Sequence, residues 1–308
     1  MNELTIVMYH YVRPIKKSGY PQLKGLELDS FLRQLDYLYE EYNIVSQEDV
    51  LASIKYKKSL PSKACWLTFD DGYKDHYKYV LPALTNKGIS AAFFPPRDAI
   101  IERDILDVNS VHFILSVCQN LENLIKNIHD YALESGLTQE RIDEYRQIYC
   151  RPNRFDDGLT IYVKRLLQHV LPQALRGEII KELFSEYIGK SNQEFSNELY
   201  MSLEEIKSLV KVGMHVGSHG SRHCWLDKIS EEEQEEDISK SLSFLEEIGA
   251  STSDWVMCYP YGAYNANTLS IINRLGALAG VTTKVKLADL SSDNPLLLPR
   301  FDTNDFPT

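Results

Sequence analysis

Residues 64–73 read Ala64-Cys65-Trp66-Leu67-Thr68-Phe69-Asp70-Asp71-Gly72-Tyr73, an apolar run that ends on two adjacent carboxylates and a glycine. A short apolar run bounded by turn residues reads as a strand buried on both faces. Ala64 to Phe69 is therefore expected to be an interior strand that delivers Asp70 and Asp71 at its C-terminal end, where parallel α/β folds build their functional sites. Asp-Gly is also ordinary turn chemistry, and the chain supplies its own comparison. Arg154-Phe155-Asp156-Asp157-Gly158 repeats the Phe-Asp-Asp-Gly string, but after Arg151-Pro152-Asn153 and ahead of a helical pattern. There Asp156 or Asp157 is expected to cap a helix.

The pattern around the first string extends in both directions. Downstream, a helical segment from about Asp75 to Lys87 stops at Gly88, and Ser90 to Phe94 reads as the next strand, broken by Pro95 and Pro96. Upstream, Leu4 to His10 is a buried strand leading into polar loop residues at Arg13 to Lys17. Ser30 to Tyr42 carries Phe31, Leu32, Leu35, Leu38 and Tyr39 at helical spacing, with Ser30 placed to cap it. Strands return at Met214 to Ser218, Trp255 to Cys258 and Ala279 to Thr282. Such alternation implies parallel strands with crossover helices, hence an α/β barrel or a doubly wound sheet. Between about 101 and 200 the segments Val111 to Tyr131, Gln139 to Tyr149, Thr160 to Val170 and Leu175 to Tyr187 all read as helices. The expected organisation is a discontinuous α/β domain, 1–100 and 201–308, with a helical insertion over 101–200.

The 308 residues are 44% hydrophobic and 25% charged, near the globular average, so a large core can be buried. Lys and Arg number 33 against 44 Asp and Glu, a formal net charge of -11 that argues against a protein tracking nucleic-acid phosphates. A neutral or modestly charged substrate suits it better. The N-terminus lacks a basic n-region, a long apolar core and a small-residue cleavage site. No later stretch approaches the roughly 18 apolar residues of a membrane span. Cys65, Cys118, Cys150, Cys224 and Cys258 are odd in number and show no CxxC spacing, so neither a disulfide framework nor a zinc ribbon is expected. A reducing cytoplasm is the expected address.

Two further segments could carry chemistry. Gly217-Ser218-His219-Gly220-Ser221-Arg222-His223 follows the strand through Met214 and Val216, with His215 upstream inside it. Two imidazoles four residues apart can face one site if the segment turns helically, and a third, carboxylate ligand would leave a position open for water. A pair at this spacing also arises readily among eight histidines. Met257-Cys258-Tyr259-Pro260-Tyr261-Gly262-Ala263-Tyr264-Asn265 is an apolar strand ending in a rigid proline and a permissive glycine. Such a loop can aim a backbone N–H at a developing oxyanion and offer tyrosines to a substrate, or be a plain strand-to-helix turn.

In this order the three segments resemble the polysaccharide deacetylase family, also called the NodB-homology domain or carbohydrate esterase family 4, over roughly residues 4–97 and 205–302. The resemblance implies a distorted (β/α)7-type barrel and leaves the helical insertion unexplained. It implies that Asp70 is the general base and that Asp71, His219 and His223 bind a divalent metal ion. Zn2+ is the default for such a set, with Co2+, Ni2+, Mn2+ or Fe2+ suited to the same ligands. It also implies that the backbone N–H of Tyr261 helps to hold the oxyanion.

The sequence departs from the family pattern twice. No histidine follows His223, so the usual late Leu-x-His acid is missing. One branch of the family supplies that histidine from an N-terminal Tyr-His after the first strand; Met8-Tyr9-His10 matches it and makes His10 the candidate acid. Cys258 stands where many members carry an arginine that orients the base. Arg300 and Asp302, in Leu298-Pro299-Arg300-Phe301-Asp302, could supply the orienting charges or form a structural salt bridge. The activity the resemblance implies is metal-dependent removal of an N-acetyl group from an acetamido sugar of a surface glycan or its precursor. N-formyl or O-acetyl removal uses the same attack. A degenerate barrel that binds glycan without cleaving it is the competing reading, and the full Asp-Asp and His-His set speaks against it.

Overall fold

Glu3–Tyr9 and Ala64–Asp70 lie side by side in parallel register from Leu4↔Ala64 to Tyr9↔Phe69. Both are buried from Leu4 and Ala64 onward, as their continuous apolar runs require. Ala92–Phe94 pairs in parallel with Ala64–Asp70, and His215–Val216 with Ala92–Phe94. Trp255–Cys258 and Ala277–Val281 form a second parallel ladder. Isolated parallel bridges, Ser218↔Met257 and Val281↔Leu298, join the ladders, and Phe301–Asp302 pairs in parallel with Glu3–Tyr9. Followed in this order, the parallel strands run round to the first one. The α/β fold is thus the distorted barrel the resemblance implied, regular on one side and reduced to single bridges on the other. Leu4, Ile6, Trp66, Phe94, Val256, Ala279 and Val281 fill part of its interior.

The computed structural model describes residues 2–308. It divides into two compact units: one runs up to Pro14 and over Gly25–Asp104 and Ser196–Thr308, and carries the strands above; the other comprises Ile15–Lys24 and Ile105–Phe195.

Local chemistry sets the helix boundaries. Leu28–Glu41 begins earlier than expected, directly from the extended backbone of Leu26–Glu27; Ser30 lies inside its first turn and does not cap it. Gln47–Tyr56 was not anticipated, although Ser46 and Asp49 form a reciprocal capping box. Similar boxes open Leu203–Lys211 and Glu231–Glu247. The segment expected to be one helix over 75–87 starts with a π-helical turn, His76–Val80, before Leu81–Asn86.

The second unit is helical. The segment expected as a single helix over 111–131 splits into Asp107–Val117 and Leu121–Glu134, because the Asn120 side chain accepts the Asn123 N–H and starts a new helix. Gln139–Tyr149, Gly158–Arg165 and Gln173–Ile188 follow. Asp157 caps the second of these through the Thr160 N–H, while Asp156 is ion-paired to Lys24 and Lys164. The second Phe-Asp-Asp-Gly string is therefore structural.

Candidate active site

Asp70 and Asp71 end the central strand, 1% and 3% exposed. The chain turns sharply there. Asp71 adopts φ +69 with its N–H bonded to the Phe94 carbonyl, and Gly72 follows at φ +66, where a Cβ would meet that of Pro95 at 2.8 Å. His223 and Tyr261 also have positive φ, +52 and +58. Left-handed backbone at non-glycine residues costs about 1–3 kcal/mol each and collects at functional sites; here three of the residues singled out from sequence share it.

The two carboxylates are held differently. The Tyr73 hydroxyl donates to Asp71 Oδ2 at 2.6 Å, whereas Asp71 Oδ1 is buried without a hydrogen-bond partner. That oxygen lies 3.4 Å from His219 Nε2 and 3.3 Å from His223 Nε2. His219 Nδ1 is 2.7 Å from the Cys258 carbonyl; since a carbonyl only accepts, Nδ1 carries the hydrogen and the Nε2 lone pair faces Asp71. One atom from each of the three residues so converges, and their separations are those of a group able to hold a cation. The residues present therefore fit a divalent metal.

Asp70 faces a different partner. Arg300, itself 1% exposed, grips it with Nη1 at 2.9 Å from Oδ1 and Nη2 at 2.8 Å from Oδ2. The Arg300 Nε donates to the Thr282 carbonyl, and its Nη2 lies 3.3 Å from Cys258 Sγ, beside the residue that stands where the family pattern places an arginine. Burial raises the Asp70 pKa, but Arg300, with His10 and His219, outweighs burial and holds it below the ordinary carboxylate value. Asp302, also singled out from sequence, does not join the cluster; its side chain accepts the Asn304 N–H and caps Thr303–Asp305. His10 does join it, with Nε2 3.8 Å from Asp70 Oδ2 and its side chain 41% exposed. The Tyr261 ring packs on His223 at 4.7 Å and stacks on Trp225 at 4.5 Å. His215 is elsewhere, 3.9 Å from Glu48.

Sequence reasoning missed what holds the histidine loop. Asp237, 1% exposed on Glu231–Glu247, accepts the backbone N–H groups of Ser221 and Arg222 at 2.9 and 3.0 Å and the Arg222 Nε at 3.0 Å. Gly220, at φ +70, leaves room for it: a Cβ there would stand 2.6 Å from Asp237 Oδ2. An acidic residue within a run of glutamates gave no sequence signal.

Fold and site together define an α/β barrel protein whose candidate site lies at the ends of its parallel strands and on the loops that follow them. The family model described as polysaccharide deacetylase matches residues 57–130 and 154–280, about two thirds of the chain, and the chain belongs to that family. His10 and Arg300 lie outside the matched segments. A curated relative, YxkH of Bacillus subtilis (strain 168), is 24% identical over 130 residues, 42% of this chain; the match spans 43% of that relative's length. The fold is shared with the deacetylase PplD of Streptococcus pyogenes, solved in complex with acetate (TM-score 0.60, 19% identity, 97% of this chain and 92% of that one). It is shared also with IcaB from Ammonifex degensii (0.59, 19%, 98% and 92%) and the BpsB deacetylase domain from Bordetella bronchiseptica (0.56, 12%, 98% and 96%). No helix among the described residues is long and apolar enough to cross a membrane.

Proposed function

We propose that the chain is a metal-dependent N-deacetylase acting on an acetamido sugar of a surface glycan or its precursor. The observation that carries this reading is Asp71 Oδ1, buried and unpartnered between the Nε2 atoms of His219 and His223. Those three residues would hold the metal, Zn2+ by default for this ligand set. When bound, such an ion supplies Lewis acidity, making water nucleophilic near neutral pH and polarising an acyl carbonyl.

The chain's own residues supply the rest. Asp70, kept ionised by Arg300, is placed to take a proton from the attacking water. The Tyr261 backbone, fixed by the Pro260–Gly262 turn, offers its N–H to the developing oxyanion. His10, beside Asp70 and partly exposed, would protonate the leaving amine. The acetate-bound deacetylase PplD shares the fold, which agrees with an acyl-hydrolase role.

Purified protein assayed on matched N-acetyl, N-formyl and O-acetyl glucosamine oligomers tests the assignment. Turnover of the N-acetyl substrate, abolished by Asp70→Asn with metal retained, is the expected result. Hydrolysis of simple esters alone would contradict it.

A further inference from the structure

We infer that Asp75 and His76 are positioning residues for His10, a clamp that fixes the acid against the amide leaving group; the inference rests on the proposed role of His10. The backbone at residues 9–11 aims His10 by alternation. Tyr9, fully buried, stacks on Phe69 at 4.8 Å, and Tyr11, 3% exposed, stacks on Tyr73 at 4.2 Å, so the residue between them turns the other way, toward Asp70.

Two contacts from one short segment then fasten this loop. His76 Nε2 lies 2.8 Å from the His10 carbonyl, and Arg13 Nε lies 2.5 Å from Asp75 Oδ2 with both side chains largely buried, 13% and 8% exposed. Both come from the start of the π-helical turn His76–Val80, a backbone irregularity that recurs at functional sites.

The imidazole is an unfavourable choice for packing alone. His76 is fully buried against Phe69, Tyr73 and Phe93, ring centroids 5.4, 5.5 and 5.9 Å away. A carbonyl accepts only, so Nε2 carries the hydrogen and Nδ1 is a bare lone pair; it is buried with no partner. A phenylalanine would fill this aromatic cage without stranding a polar atom. What the imidazole adds is the hydrogen bond to His10.

The test compares an amide with an ester that needs no acid. N-acetylglucosamine oligomers release an amine that must be protonated, whereas p-nitrophenyl acetate releases a nitrophenolate that leaves unaided. Metal content and Tm are read alongside for His76→Phe, His76→Gln, Asp75→Asn and the benchmark His10→Ala. His76→Phe is expected to lower amide kcat by about ten- to a hundredfold, the scale of an ångström's misplacement, with ester turnover falling far less. His76→Gln, whose amide nitrogen can replace Nε2 as donor, restores part of the loss. Asp75→Asn carries the test if His76→Phe fails to fold.

Equal losses on amide and ester, or no loss on either, overturn the clamp. If His10→Ala separates the substrates but the His76 and Asp75 variants do not, the clamp alone fails. If His10→Ala does not separate them, the acid assignment fails and takes the clamp with it.

Discussion

Arg300 and Asp70 meet through two parallel hydrogen bonds of 2.9 and 2.8 Å, each residue 1% exposed, although 230 positions separate them in the chain. The paired geometry keeps the buried carboxylate ionised, where a lone charge would be untenable.

Replacing Arg300 by methionine leaves Asp70 buried and uncompensated. The expected cost is about 3–5 kcal/mol of stability, the usual penalty for breaking a buried pair from one side. Arg300→Lys keeps the charge and loses the fork, and is expected to recover stability in part while turnover stays low. Urea unfolding and kcat on an N-acetyl substrate check both.

Asp237→Asn keeps the shape of the side chain but weakens its hold on the backbone of the loop bearing His219 and His223. Outer partners of metal ligands commonly account for about 10- to 100-fold in metal affinity. A competition titration against a chelator should show weaker binding by that order, with the far-UV spectrum unchanged.

His76 gives stability a pH dependence. Burial pushes its pKa down from 6.5 to about 4, so the unfolded chain takes up a proton that the folded chain refuses. The folded state is favoured fully above pH 6.5 and loses roughly 3 kcal/mol as pH falls toward 4. His76→Phe should remove that part of the slope, whatever it does to stability at neutral pH. Unfolding free energies for the two proteins between pH 7 and pH 4 supply the comparison, and parallel curves would contradict the prediction.

Much of this architecture was legible before the structure. Ala64 to Asp70 could be read because a strand buried on both faces is written as an unbroken apolar run, and that run set its carboxylates apart from the second Phe-Asp-Asp-Gly string, which follows Arg151-Pro152-Asn153. The His219 and His223 pair was readable by spacing. Arg300 was not assignable, because its partner is distant in sequence and Asp302 beside it offered a second charge; only the fold shows that Asp302 caps a local turn while Arg300 turns inward. Helix starts erred where backbone continuity outweighed side-chain preference, as at Leu28, or where a lone asparagine reset the helix, as at Asn120. The left-handed backbone at Tyr261 had no signal in the residue type, whereas Asp71 and His223 are of types that tolerate it more readily.

The central claim is that Asp71, His219 and His223 hold one cation, and elemental analysis of bound transition metal tests it most directly. The parent protein is expected to carry about one metal per chain, and an Asp71→Ala, His219→Ala double variant almost none, as for a site of three protein ligands. A parent that takes up no metal after incubation with zinc or cobalt would contradict the account.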